Sequence, residues 1–281
     1  MADHTTGGSA RDRRAVRRLL TAYSLAVYLF LFFPLVITAV YAFNAGEIVP
    51  LWEGWSVRWF RAAAGNDGIR EAIALSLAIG LGSAAISVVL GTAAALGLAG
   101  RGRRSGPLQA FLILGLVVPE LMLAIGLLLY FDQANTPLGR GPMMVSHSLF
   151  GIALVMMTVR ARLSRLPMGL ELASADLGAT RWATFRQVTL PQLYPAILAG
   201  GLLAFTFSFD DVILSQFLAG SGNTTWPLYI LASLRTGLSP EVNAAATLVF
   251  GGTVLLLAGC GGLLRLAAAR GKRAADANPL S

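Results

Sequence analysis

Apolar residues in this chain gather into long unbroken runs, not into a helical stripe or a strand-like alternation. Leu19 to Gly46 contains no Asp, Glu, Lys or Arg, and neither does Ala72 to Ala99. About 20 apolar residues in a helix cross the hydrocarbon core of a bilayer, and both runs exceed that length even when tilted. Six spans are predicted, near residues 19–43, 72–99, 107–131, 143–160, 196–217 and 242–264. The expected fold class is an all-α polytopic membrane protein. Its parts are a basic tail over 1–18, a six-span body over 19–264 and a C-terminal tail over 265–281.

The segment 161–195, between the fourth and fifth spans, breaks the pattern. Its stretch "LELASADLGATRWATFRQVTLP" (170–191) is too polar to cross a bilayer and too regular for a loose linker. Leu170 to Leu177 is rich in Leu, Glu and Ala, which favour helix. Gly178 suits the left-handed position that ends helices, and Thr180 suits the N-cap of a second helix. In that second helix Trp182, Phe185 and Val188 or Thr189 recur at spacings of three and four, forming one apolar face, with Arg181 and Arg186 off it. Pro191 and Pro195 are expected to restrict the chain ahead of the next span. The product is a helix–turn–helix with an exposed apolar-aromatic edge. Such an edge either receives a partner protein or belongs to an amphipathic hairpin that rests on the membrane or folds over the bundle.

Charge gives the spans a direction. Of 281 residues 56% are hydrophobic and 13% charged, against roughly 25% charged in soluble domains. The net charge of +8 is assigned to membrane orientation, because Lys and Arg stay on the cytoplasmic side, and no nucleic-acid partner is expected. Seventeen of the 22 basic residues fall in the N-terminal tail, the 100–106 loop, the 160–195 segment and the C-terminal tail. The opposite side holds five: Arg58, Arg61, Arg70, Arg140 and Arg235. Both termini and the 170–191 stretch are therefore expected in the cytoplasm. The first run exceeds the apolar core of a signal peptide and is read as a retained anchor. The outward loop 44–71 carries Trp52, Trp55, Trp59 and Phe60, a set suited to the membrane–water boundary. Glycines in the second span (Gly80, Gly82, Gly91, Gly97) and the sixth (Gly251, Gly252, Gly259, Gly261, Gly262) favour close helix packing. The single cysteine, Cys260, excludes an internal disulfide and a cysteine-based metal site.

Candidate chemistry inside the spans is sparse. Glu120, Asp210 and Asp211 lie within apolar runs, where an ionisable side chain marks a functional site by default; they either line a pathway or meet Arg residues or backbone donors of a partner subunit. Glu120 follows Pro119, where a helix kinks and frees backbone groups. His147 and Ser148 are adjacent, so on a helix they point about 100° apart and form no nucleophile–base pair by themselves. A metal site of His147 with Glu120 or Asp210 is the remaining chemical alternative; no metal, cofactor or catalytic residue is expected. No Gly-x-x-x-x-Gly-Lys-Ser/Thr phosphate loop is present, so the chain does not hydrolyse ATP.

The run Glu171-Leu172-Ala173-Ser174-Ala175-Asp176-Leu177-Gly178-Ala179, followed by Val188-Thr189-Leu190-Pro191, resembles the coupling loop of ATP-binding-cassette (ABC) importer permeases. The family pattern is Glu-Ala-Ala, three residues, Gly, nine residues, then Ile-x-Leu-Pro. Nine residues separate Gly178 from Val188 here, but Leu172 stands at the family's Glu position, with Glu171 one residue early. "VPELMLAIGLLLYF" (118–131), "FSFDDVILSQFLAG" (207–220) and "GLSPEVNAAATLV" (237–249) are similar to the spermidine/putrescine permease subfamily. The resemblance implies the type I importer permease fold. It also implies an ATPase docked on Glu171, Ala173, Asp176, Gly178, Ala179, Trp182, Phe185, Leu190 and Pro191, a second and different permease subunit, and an extracytoplasmic solute-binding protein. The implied cargo is a polyamine or similar small cation, with aminophosphonate, iron, thiamine or sulfate as alternatives. A secondary transporter, which needs no docking hairpin, is the rival class.

Overall fold

The computed structural model describes residues 8–47, 51–99, 106–167, 169–237 and 239–276. Among them the helices are α1 (Gly8–Tyr41), α2 (Arg58–Gly65), α3 (Asp67–Ala99), α4 (Gly106–Val117), α5 (Glu120–Gln133) and α6 (Arg140–Leu163). They continue with α7 (Gly169–Asp176), α8 (Arg181–Thr184), α9 (Leu190–Phe209), α10 (Ile213–Leu218), α11 (Trp226–Thr236) and α12 (Pro240–Asp276). A π-helical turn, Phe185–Thr189, joins α8 to α9. Among the described residues five helices are long and apolar enough to cross a membrane, or six if α4 and α5 count as one broken span.

Two compact units share the chain. The first comprises Met1–Gly65 with Gly237–Ala258. In it, α1 exposes Leu19, Tyr23, Leu29, Phe30 and Phe33, as a lipid-facing helix does. The chain then turns through an antiparallel bridge between Asn44 and Trp55. The buried Asn44 side chain organises this turn, donating to Leu51 O and accepting from Gly46 N and Glu53 N. Phe43, Trp52, Trp55 and Phe60 cluster around it, with ring centroids 4.8 to 6.1 Å apart.

The second unit, Asn66–Thr236 with Gly259–Ser281, is built on α3, α6 and α9 packed against one another. Lipid tails are as apolar as Leu, so burial alone does not drive helices together in a bilayer; close packing and interhelical hydrogen bonds do. Gly91 shows the packing: a Cβ there would lie 2.8 Å from Ile152 O and Val155 Cβ of α6. Gly200 on α9 likewise admits the α6 backbone at Val155. Ser83 and Ser87 on α3 donate to the carbonyls of Met144 and Ser148. The glycines of the sixth span do not repeat this: a Cβ at Gly251 or Gly252 would meet nothing within 4 Å among the described residues.

Several predicted elements are corrected. The third span is not one helix; α4 and α5 meet at a 105° bend around Val118 and Pro119. The fourth is a full 24-residue helix, six residues longer than predicted. The fifth is displaced toward the N-terminus. Pro191 and Pro195 do not separate it from the preceding hairpin. Pro191 occupies its first turn, where a missing N–H costs little, and Pro195 lies within it. Helix therefore runs from Arg181 to Phe209 and stops at Asp210, so Asp210 and Asp211 sit at a break and not inside a helix.

Candidate docking hairpin and buried acid–histidine cluster

The hairpin forms as local chemistry dictates. Helix α7 closes with Leu177, Gly178 and Ala179 amides bonded to the carbonyls of Ala173, Ala175 and Ser174. Gly178 takes φ +80°, a conformation that costs glycine little. Thr180 then caps α8, its hydroxyl accepting from Ala183 N at 3.3 Å. Two side-chain bonds tie the arms: Ser174 Oγ to Thr184 Oγ1 at 2.9 Å, and Thr189 Oγ1 to Glu171 Oε1 at 2.7 Å.

That second bond settles where Glu171 points. Its carboxylate is engaged across the hairpin by Thr189, while Leu172, at the family's Glu position, is exposed. Leu177 at the turn is 88% exposed and Trp182 is 67% exposed. Ala173 and Asp176 are exposed on α7, Ala179 and Leu190 are half-buried, and Pro191 is exposed. The expected single face of Trp182, Phe185 and Val188 or Thr189 holds only in part, with Val188 half-buried. The rings of Trp182 and Phe185 touch, 5.5 Å between centroids, but Thr189 is buried and Phe185 turns toward an open cavity of about 790 Å³. Leu96, Arg160, Leu163, Glu171 and Arg181 also line this cavity, between the hairpin and the ends of α3 and α6. The π-helical turn Phe185–Thr189 follows Trp182, and i→i+5 bonding shifts the register of Thr189 relative to Trp182. Leu172 and Leu177 are exposed apolar residues that the helical periodicity does not single out.

The second constellation lies where α9 breaks. Asp210 ends α9, its amide bonded to Thr206 O, and its side chain is exposed. Asp211 is buried. Its Oδ1 accepts from Ser215 N at 3.1 Å and faces His147 Nε2 at 3.6 Å. His147 Nδ1 meets Ser208 Oγ at 2.8 Å, and Ser215 Oγ lies 3.5 Å from His147 Nε2. Asp211 Oδ2 has no hydrogen-bond partner. Beside it stands the half-buried carboxyl of Glu120, brought there by the bend that starts α5. The neighbouring aspartates thus diverge, and Glu120 joins Asp211, not Asp210. Ser148 turns its hydroxyl back to Val145 O, so it makes no nucleophile–base pair with His147. Among the described residues no group of three or more His, Cys, Asp and Glu is arranged to hold a metal ion. Ser208 and Ser215 were invisible to sequence reasoning, since a serine in an apolar run carries no signal of its partner.

Comparison with known proteins follows this geometry. The family model "Binding-protein-dependent transport system inner membrane component" matches residues 87–273. The putrescine transport system permease protein PotI of Escherichia coli (strain K12) is 38% identical over 232 residues, covering 80% of this chain and 83% of PotI. The spermidine/putrescine transport system permease protein PotC of the same strain is 32% identical over 234 residues, covering 83% of this chain and 89% of PotC. In fold, the chain is similar to the inward-facing MetNI methionine ABC transporter, with a TM-score of 0.61 and 16% identity, covering 70% of this chain and 94% of that one. It is also similar to a bacterial ABC transporter for the acidic polysaccharide alginate, with a TM-score of 0.62 and 13% identity, covering 94% and 99%. With the family match and the curated relatives spanning most of its length, the chain belongs to the inner-membrane components of binding-protein-dependent transport systems, the permease subunits of ABC importers.

Proposed function

We propose that this permease carries a polyamine, a small aliphatic polycation such as putrescine or spermidine, into the cytoplasm. The observation that carries this reading is the acid set at the broken ends of α5, α9 and α10. Glu120 stands beside Asp211, with Asp210 next in sequence, and among the described residues none of the three is ion-paired with Lys or Arg. An ionisable group at membrane depth costs about 2.5–3.5 kcal/mol on insertion scales, so unneutralised acids there call for a cation. The relatives named for putrescine and spermidine/putrescine support the same cargo.

The energy comes from a separate ATPase docked on the exposed edge of the hairpin, with Leu172, Leu177 and Trp182 as anchors and Gly178 setting the turn. The helical stretch Arg181–Phe209 leads from that edge to the break at Asp210. Its 29 residues span about 43 Å at about 1.5 Å per residue. Displacement of the hairpin by the ATPase pair moves this lever and switches the pathway between inward-open and outward-open states. A second, different permease subunit completes the pathway, a solute-binding protein delivers the cargo outside, and both termini lie in the cytoplasm, following the basic residues.

The test is uptake of labelled putrescine by the complete importer reconstituted in proteoliposomes. ATP-dependent uptake is expected. Glu120→Gln, Asp210→Asn and Asp211→Asn should lower uptake more than they lower ATP hydrolysis stimulated by the binding protein. Transport of aminophosphonate, iron, thiamine or sulfate without putrescine would replace the cargo. Uptake that persists without ATP would indicate a secondary transporter.

A further inference from the structure

We infer that the cavity between the hairpin and the ends of α3 and α6 is a lipid site: Arg160 and Arg181 hold the phosphate headgroup of an anionic phospholipid of the cytoplasmic leaflet, and the apolar wall takes the start of its acyl chains. The inference rests on the cytoplasmic placement of the hairpin proposed above.

Place, lining and charge all point to this ligand. Helices α3 and α6 are candidate spans that end at Ala99 and Leu163, and both residues line the cavity. It therefore lies where the hydrocarbon core gives way to headgroups. Its volume of about 790 Å³ falls within the range of about 300–1,000 Å³ usual for ligand sites. Leu96, Leu163, Leu166 and Phe185 supply an apolar wall. The charged residues of the lining are Arg160, Arg181 and Glu171, two cations against one acid. Glu171 is already engaged, its Oε1 accepting from Thr189. Arg160 is held in place from α4, its Nη1 donating to Gln109 Oε1. Arg181 opens α8 and forms no ion pair among the described residues. A guanidinium presents a planar fork of donors that matches phosphate oxygens. Basic pockets between spans on the cytoplasmic side are places where anionic headgroups bind. A soluble anion would leave the apolar wall facing water, and a zwitterionic lipid would leave the excess positive charge unanswered. Arg160 belongs to α6 and Arg181 to the hairpin, so a headgroup that engages both ties the hairpin to the bundle it moves.

The experiment uses the complete importer in vesicles of equal parts phosphatidylglycerol and phosphatidylcholine, each radiolabelled in a separate preparation. p-Benzoylphenylalanine replaces Phe185, which enlarges an aromatic side chain already on the cavity wall. After irradiation the reading is the ratio of phosphatidylglycerol to phosphatidylcholine adducts on this chain. It should exceed the ratio from the same probe at Leu29, an exposed residue within the first apolar span, about tenfold, and Arg181→Gln should remove that excess, the effect of losing one hydrogen bond between charged groups. Arg160→Gln should act alike; if loss of its bond to Gln109 prevents assembly, Arg181→Gln decides alone. Arg186→Gln, which takes the same charge from the hairpin outside the cavity, should keep the ratio. Equal ratios at Phe185 and Leu29, or an equal fall in the Arg181 and Arg186 variants, would overturn the inference. So would loss of the preference in excess inorganic phosphate, which would assign the cavity to a soluble anion, or a Phe185 adduct to the ATPase in place of lipid. An ATPase adduct from the same probe at Leu177 alongside any of these results leaves the docking reading standing. A phosphatidylglycerol preference at Phe185 with no such adduct would support the lipid site and remove the docking reading alone.

Discussion

Replacing Gly178 by Val tests whether the hairpin's turn transmits the ATPase's work. Gly178 has φ +80°, and a Cβ added there would meet nothing within 4 Å, so the penalty is conformational and not a clash with neighbours. A left-handed residue other than glycine costs about 1–2 kcal/mol, and a β-branched one lies at or beyond the upper end. Against this stand the Ser174–Thr184 and Thr189–Glu171 bonds, each contributing about 0.5–1.5 kcal/mol, and the Thr180 cap, contributing about 1 kcal/mol. A strain of about 2 kcal/mol thus offsets half or more of what holds the arms together. It reduces the population of the native turn about 30-fold relative to its rearranged forms, at about 1.4 kcal/mol per factor of ten. The expected result is at least a tenfold fall in ATP-driven uptake, with an unchanged amount of chain in the membrane by immunoblot, since Gly178 lies outside the candidate spans. Gly178→Asn should stay within about threefold of wild type, because Asn visits the left-handed region. Normal uptake by Gly178→Val, or equal damage by Asn and Val, would refute the reasoning.

Alanine at Leu177 and Trp182 together should reduce co-purification of the ATPase more than tenfold, because exposed apolar and aromatic anchors dominate such interfaces; Phe185→Ala, facing the cavity, should matter less. Equal recovery in all three proteins would favour a hairpin that rests on the membrane. Gly91→Val should cost about 1–3 kcal/mol through overpacking against Ile152 and Val155, seen as a lower yield of monodisperse protein in detergent. A normal yield would mean that α3 and α6 do not meet there.

The hairpin was legible because its determinants are local. Leu170 to Leu177 favours helix, Gly178 alone tolerates the turn, and Thr180 caps the next helix two residues on. The spans were legible in number, since length and apolarity decide them. Their ends were not. The apolar run through Phe209 continues past Asp210 and Asp211 into Val212 and Ile213, so hydropathy placed both acids inside a helix. The buried Asp211 at that break faces His147 and Glu120, which lie 64 or more residues away in sequence and which hydropathy does not reveal. The prolines misled in the opposite direction. Pro191 and Pro195 were expected to restrict the chain ahead of the span, yet Pro191 stands where the π-helical turn hands over to α9, Pro195 lies inside α9, and the helix continues through both. The π-helical turn left no sequence signal, and with it went the assignment of Thr189 to the outer face.

Site-specific photo-crosslinking decides whether an ATPase seats on the hairpin turn. With p-benzoylphenylalanine in place of Leu177, irradiation of the assembled importer should give an adduct between this chain and the ATPase. The same probe in place of Leu29, an exposed residue within the first apolar span, should give none. Adducts from Leu177 confined to lipid, with no ATPase attached although the complex is intact, would contradict the claim.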